Sequence, residues 1–268
     1  MGGSWRVTAW GVRGSYPVPE AAFLDYGGNT SCFSVDCGAA LAVFDAGSGL
    51  ARLGEWMVRP DGPRRADIFL SHLHLDHVQG LASFRPLFFP SREIHFYGRP
   101  GLWAALDSLL SPPWWPVGLE DFPAEVHIHE LGSGGTASLP GGVSAEAMEG
   151  RHPNGCLYYR LEGGGRRVVY ALDCEPDGET ARRLEDFARG ADLLVWDANF
   201  VEADFKPGWG HSTWRQGAEI ARAAGVKRVL MAHYAADHND AFLCGQEALA
   251  REAAPNIYFA KEGMVMEL

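Results

Sequence analysis

His72-Leu73-His74-Leu75-Asp76-His77 packs three histidines and an aspartate into six residues, directly after an apolar run at 68–70 that reads as a short buried strand. Imidazole nitrogen and carboxylate oxygen are donors that zinc prefers, and a catalytic site keeps one coordination position open for water. In an extended turn His72 and His74 point to one side, while Asp76 and His77 enter the following helix and face a neighbouring position. One turn can therefore serve two metals. A lone loop histidine is ordinarily just solvated, but four donors at this spacing behind a buried strand form a site.

On the N-terminal side, strands are expected at 6–10, 32–36 and 41–45, then a helix at 50–58, where Leu50, Leu53, Trp56 and Met57 recur at helical spacing. Beyond the histidines, 78–84 reads as helix, 93–97 as strand and 101–110 as helix, before Ser111-Pro112-Pro113-Trp114-Trp115-Pro116 breaks the pattern. Strands follow at 126–130, 143–148, 157–161 and 168–172. The final third alternates helices at 179–188, 213–224 and 241–253 with strands at 193–196, 228–232, 257–259 and 264–267. No linker interrupts this order. The expectation is an α/β protein, a single domain over 1–268, with two sheets packed on each other and helices outside both.

Composition narrows the class. Of 268 residues, 47% are hydrophobic and 21% charged, as in ordinary soluble globular chains. The formal charge is −11, and no Lys/Arg run marks a patch that could neutralise many phosphates. A small-molecule substrate is expected, and no long nucleic acid. Bound cations would still invert the field of an acidic pocket and draw a small anion there. Five cysteines, an odd number without C-x-x-C spacing, exclude a disulfide framework and fit a reducing cytoplasm. Met1-Gly2-Gly3-Ser4-Trp5-Arg6 shows no leader, and no apolar run has the length of a membrane span, so no membrane partner is expected. A homodimer is left open.

The spacing H-x-H-x-D-H resembles the signature of the metallo-β-lactamase superfamily, and further matches follow in order over essentially the whole chain. Asp45, in Val43-Phe44-Asp45-Ala46-Gly47, resembles that family's structural aspartate beneath the site. His152 in Gly150-Arg151-His152-Pro153, Asp173 in Tyr170-Ala171-Leu172-Asp173 and His233 in Ala232-His233-Tyr234 stand at strand ends where the family places its remaining ligands. The resemblance implies a four-layer αββα sandwich, the metallo-β-lactamase fold. It implies two divalent ions, zinc before manganese or iron: His72, His74 and His152 on one, Asp76, His77 and His233 on the other, Asp173 bridging.

A second set of matches is similar to the ribonuclease Z and cyclic phosphodiesterase-like branch. These are Gly210-His211-Ser212-Thr213, Gln216-Gly217-Ala218-Glu219-Ile220-Ala221 and Lys227-Arg228-Val229-Leu230. In that branch the histidine of H-S-T works with an acidic residue of an H-E-A-T segment. Here Trp196-Asp197-Ala198-Asn199 occupies the place, with Asp197 for glutamate and no histidine. Read without the family, His211 is a residue beside a helix cap at Ser212. The resemblance implies a metal-dependent phosphodiesterase acting on a small or cyclic phosphodiester through a metal-bound hydroxide. Asp76 would orient that nucleophile, and His211, assisted by Asp197, would serve the leaving group. The alternatives are a lactonase or β-lactamase-type hydrolase of the same fold and a non-catalytic metal-binding biosynthesis or sensor protein. The arm that ribonuclease Z extends toward transfer RNA has no counterpart insertion here. Gly11-Val12-Arg13-Gly14-Ser15 and the segment around Asn29 also resemble this branch and offer Arg13 and Asn29 as substrate contacts, while His95, His127, His129 and His238 match no family position and read as structural or solvated.

Overall fold

A computed structural model describes residues 4–268; residues 1–3, part of the segment read as lacking a leader, lie outside the described residues. The first sheet contains β1 (Arg6–Gly11), β2 (Cys32–Asp36), β3 (Leu41–Phe44), β4 (Arg65–Phe69), β5 (Glu93–Gly98), β6 (Glu125–Glu130) and the last strand, β14 (Val265–Glu267), in the order β14-β1-β2-β3-β4-β5-β6. The second contains β7 (Thr136–Leu139), β8 (Val143–Gly150), β9 (Cys156–Gly163), β10 (Arg166–Ala171), β11 (Leu193–Asp197), β12 (Val229–Ala232) and β13 (Ile257–Phe259), in the order β13-β12-β11-β10-β9-β8-β7. In each sheet four consecutive strands run parallel, β3 to β6 and β10 to β13. Their carboxyl ends are where the crevices of α/β sheets lie.

The inner faces share an aromatic core. Phe44 stacks on Tyr170 at 5.0 Å between centroids, and Phe69 meets Tyr159 at 5.2 Å, all four fully buried. Each such ring contributes roughly 1.5–3 kcal/mol by leaving water. On the outer face of the first sheet α1 (Leu50–Met57) and α3 (Leu102–Leu109) bury Leu50, Leu53, Met57, Leu102 and Leu106 against Ile68, Ile94 and Phe96. The second sheet carries α4 (Gly178–Phe187), α5 (Trp214–Ala224) and α6 (Asp240–Ala253). This is the four-layer αββα sandwich of the metallo-β-lactamase fold.

Two elements depart from the sequence expectation. The helix read at 78–84 is instead α2 (Leu75–Val78) followed by a 3-10 turn at Gln79–Ser83. Gly80 packs so closely that a Cβ there would collide with the Gly47 carbonyl, and its N–H donates to Ala46 O (2.9 Å), leaving no room for a regular helix. β7 went unread because only Ala137 and Leu139 of its four residues are apolar. The cap of α5 is Thr213, not Ser212: Thr213 Oγ1 accepts from Gln216 N, and Gln216 Oε1 accepts from Thr213 N (2.9 Å), a capping box. Ser212 Oγ instead donates to Asp197 O (2.9 Å), tying this loop to the end of β11. Among the described residues no disulfide joins the cysteines, and no helix is long and apolar enough to cross a membrane.

Candidate metal centre

Every residue singled out as a ligand lies at the carboxyl ends of the parallel strands or in the loops beside them. Asp45 follows β3, His72 follows β4, His74 caps α2, and Asp76 and His77 form its first turn. His152 lies between β8 and β9, Asp173 just beyond β10 and His233 just beyond β12. Asp45, Asp173 and His233 all adopt the left-handed backbone region, with φ of +59°, +54° and +61°. Non-glycine residues are held there only where the surroundings over-determine them, and such strain gathers at functional sites.

The donors form two groups around one carboxylate. His74 Nδ1 lies 2.9 Å from His72 Nε2 and 3.1 Å from His152 Nε2, and Asp173 Oδ2 is 3.5 Å from His72 Nε2 and 3.3 Å from His152 Nε2. In the second group His77 Nε2 and His233 Nε2 are 3.2 Å apart, and each stands 3.2–3.3 Å from Asp76 Oδ2. Asp173 Oδ1 lies 3.1 Å from His77 Nε2 and 3.0 Å from His233 Nε2. Asp173 thus turns one oxygen to each group.

This donor set fits divalent cations. Asp173 Oδ1 is buried and makes no hydrogen bond, which is costly unless a positive charge answers it. Paired imidazole nitrogens at 2.9–3.2 Å set lone pair against lone pair unless a proton or a metal stands between them. The opposite ring nitrogens are already engaged. His77 Nδ1 donates to Asp45 Oδ2 (2.7 Å) and His152 Nδ1 to Gly210 O (2.8 Å), which leaves Nε2 of both as the atom free to meet a metal. Asp45 in turn accepts from Ser71 N (2.7 Å), Ser71 Oγ (2.9 Å) and Tyr170 OH (2.8 Å).

The electrostatics point the same way. Burial, reinforced by His77, holds His72 well below the ordinary histidine range, and burial lowers His152 also, so both present neutral lone pairs. Burial would raise the carboxyls of Asp76 and Asp173, but the surrounding imidazoles keep both ionised. His77 is pushed up: burial opposes its charge, and the carboxylates of Asp173, Asp45 and Asp76 overcome that. Three carboxylates that draw a proton onto His77 would draw a divalent cation more strongly.

Beside these groups lie His211 and Asp197. His211 Nδ1 is 2.9 Å from the fully buried Asp197 Oδ2, and its ring stands 5.2 Å from that of His152 and 5.1 Å from that of His233. A cleft of about 560 Å³ opens beside His72 and His74, lined also by Leu73, Arg99, Leu102 and Asn154.

Other residues take roles the sequence did not announce. Ser15 N–H donates to Asp76 Oδ2 (2.8 Å), and Asn199 Nδ2 donates to His233 O (3.1 Å). Glu175 accepts from the N–H groups of Gly208 and Gly210, the loop whose carbonyl holds His152. Glu175 carries no local motif, whereas Asn199 lies in the quoted Trp196–Asn199 segment and Ser15 in the N-terminal glycine segment. Arg13 is not a substrate contact: it is fully buried, with Nε on Gly27 O (2.7 Å) and Nη1 on His238 O (2.6 Å). Asn29 is likewise occupied, by Glu262 (3.0 Å) and Ser48 (2.9 Å).

The chain matches the family model of the Beta-lactamase superfamily domain over residues 41–234. It is 26% identical to the Ribonuclease Z of Archaeoglobus fulgidus over 98% of this chain and 98% of that relative. Its fold is shared with the metallo-beta-lactamase fold protein YhfI from Bacillus subtilis, at a TM-score of 0.77 and 20% identity over 99% of both chains. Human tRNase Z, short form, superposes at a TM-score of 0.73 and 20% identity, over 97% of this chain and 98% of that one. Relatives that carry the name ribonuclease Z along their whole length overturn the expectation that no long nucleic acid is a partner. The physical reason is that net charge sums the whole surface, while substrate meets the local field of a cation-binding cleft. The matched span encloses every candidate ligand from His72 to His233, and the chain belongs to the β-lactamase superfamily as one of its metal-dependent hydrolases.

Proposed function

We propose that this hydrolase is a phosphodiesterase that works with two divalent cations, zinc first, held by His72, His74 and His152 on one side and Asp76, His77 and His233 on the other, with Asp173 between. Bound there, the cations would supply Lewis acidity and a water acidified toward neutrality.

The chain's own residues do the rest. Asp76, pinned by the Ser15 N–H, orients the attacking water. The His211–Asp197 pair is the observation that carries the reading. Cleaving a phosphodiester expels an alkoxide, which needs a proton, and His211 is the half-buried imidazole beside both donor groups and outside the two ligand sets named above. Asp197 fixes its tautomer through Nδ1, leaving Nε2 to give up the proton, and pushes its pKa up to about 9 against the effect of burial. The name shared by the full-length relatives supports RNA as a substrate class to be assayed beside small and cyclic diesters.

The test is a zinc-loaded preparation offered bis(p-nitrophenyl) phosphate, a cyclic nucleotide and an RNA with a 3′ extension, next to a β-lactam and a lactone. Chelator-sensitive cleavage of a phosphodiester is expected. Turnover of the carbonyl substrates alone sinks the assignment.

A further inference from the structure

Away from the candidate centre, β5 and β6 place a second group of imidazoles and carboxylates on one face. The parallel register pairs Glu93 with Glu125, His95 with His127 and Tyr97 with His129. The His95 and His127 rings stack at 4.4 Å between centroids, and one donor atom from each of Glu93, His95 and His127 lies within 4.8 Å of the others. We propose that Glu93, His95 and His127 form a further binding site for a divalent transition metal of the zinc class, clipping the edge strand β6 to β5.

Donors at about 2.1 Å from a tetrahedral zinc ion lie roughly 3.4 Å apart, so small side-chain rotations close the site. His95 Nε2 is already 2.7 Å from Glu93 Oε1, and Glu125 Oε1 stands 3.0 Å from His127 Nε2 as a fourth donor. His95 is buried while Glu93 and His127 are half-exposed, so a metal can enter from solvent without opening the core.

The outer contact is also in place. His95 Nδ1 lies 2.9 Å from His129 Nε2. Without metal, His129 donates to His95 Nδ1, and His95 Nε2–H donates to Glu93. With metal on His95 Nε2, both rings exchange tautomers and His95 Nδ1–H donates to His129, the arrangement by which a ligating imidazole is held in orientation. The number of ring protons stays the same.

One cation competes. Arg65 Nη1 is 2.8 Å from Glu93 Oε1, though Asp67 holds the same guanidinium through both oxygens at 2.7 and 3.1 Å. Against that single positive charge stand Glu93, Glu125 and Asp67. The site is therefore weaker than the buried one, with the character of a clip: β6 ends its sheet, and its only strand neighbour among the described residues is β5.

The experiment takes the full chain already carrying its active-site metals and dialyses it against zinc ions alone, counting bound metal by mass spectrometry. The parent chain should hold one equivalent more than His127→Gln, whose side chain is half-exposed and tolerates exchange; His95→Gln should lose the same equivalent. Added zinc should raise the thermal midpoint of the parent and not of His127→Gln, with phosphodiester hydrolysis equal in both. Equal metal content in parent and His127→Gln, or an equal rise in midpoint, overturns the proposal.

Discussion

His211 hangs from Asp197: Nδ1 to Oδ2 is 2.9 Å, and the carboxylate is itself fixed by the backbone N–H groups of Cys174 (3.1 Å) and Asn199 (2.8 Å). Asp197 is the last residue of β11, so the orientation of one imidazole is inherited from the sheet. Substitution of glutamate's place by the shorter aspartate leaves the contact intact, because Ser212 Oγ ties the His211 loop back to Asp197 O.

His211→Ala should lower kcat for a phosphodiester with an alkoxide leaving group, such as RNA or a cyclic nucleotide, by about 10²–10⁴-fold, the range for loss of a positioned acid. Metal content should be unchanged, since His211 lies outside both donor groups. An unchanged kcat with full metal content removes His211 from the mechanism.

Asp197→Asn tests positioning apart from chemistry. Without the carboxylate charge the His211 pKa of about 9 falls, so the protonated imidazole is lost at lower pH as the solution turns alkaline. The alkaline limb of the kcat profile should move to lower pH than in the parent measured with the same metals. Cations bound at the centre would repel the His211 proton in both proteins alike, so the comparison isolates Asp197. Identical profiles would detach this carboxylate from proton transfer.

Gly14 forms part of the cradle for His233. A Cβ on Gly14 would stand 2.5 Å from His233 Cε1 and 2.8 Å from Asn199 Nδ2, closer than real side chains approach. Gly14→Ala should displace His233 and weaken the group it shares with Asp76 and His77. The expected readout is loss of zinc from that group and a fall in kcat of at least about tenfold, the smallest effect usual for a disturbed ligand environment. Two equivalents of zinc retained at parental affinity would show that His233 moves aside without cost.

Legibility followed chemistry and periodicity. The segment from His72 to His77 was readable because four donors crowd one turn, and Asp45, His152, Asp173 and His233 because each ends or follows a strand in the family's order. What stayed hidden depends on long-range approach. Glu175 positions His152 through the backbone of Gly208 and Gly210, a relation with no local spacing. Ser15 meets Asp76 across 61 positions of chain. Arg13 invited reading as a substrate contact, yet its guanidinium satisfies buried carbonyls, which the residue type cannot reveal. The helix read at 78–84 failed because Leu81 and Phe84 keep helical spacing while Gly80 is pressed against the loop after β3. Net charge misled about nucleic acid because a sum over the surface contains no geometry.

Stability should depend on metal. Stripping the centre leaves Asp76 and Asp173 as buried carboxylates with excess negative charge around His77. Chelated protein should melt below the zinc-loaded form, and zinc at a hundredfold excess over its dissociation constant should restore about 2.7 kcal/mol per site. Equal midpoints with and without chelator, at verified metal contents, would contradict a centre coupled to folding.

Asp192 predicts an acid dependence at the other end of β11. Its carboxylate accepts from Arg167 N (2.8 Å) and Lys227 Nζ (2.7 Å), joining β10, β11 and the approach to β12. Burial would raise its pKa, but the contacts with Lys227 and Arg167 win and hold it below the usual carboxylate range. A depressed folded-state pKa contributes stability above the unfolded value near 3.9, and that contribution disappears as pH falls through the folded value. Asp192→Asn should therefore cost about 1 kcal/mol at neutral pH, a figure discounted because Lys227 is largely solvent-exposed. The gap between parent and variant in urea midpoint should close progressively below about pH 4. Since Asp192 lies at the amino end of β11 and the chemistry at its carboxyl end, kcat should be the same in both proteins. A gap that persists undiminished in acid would assign the loss to packing and not to the charge.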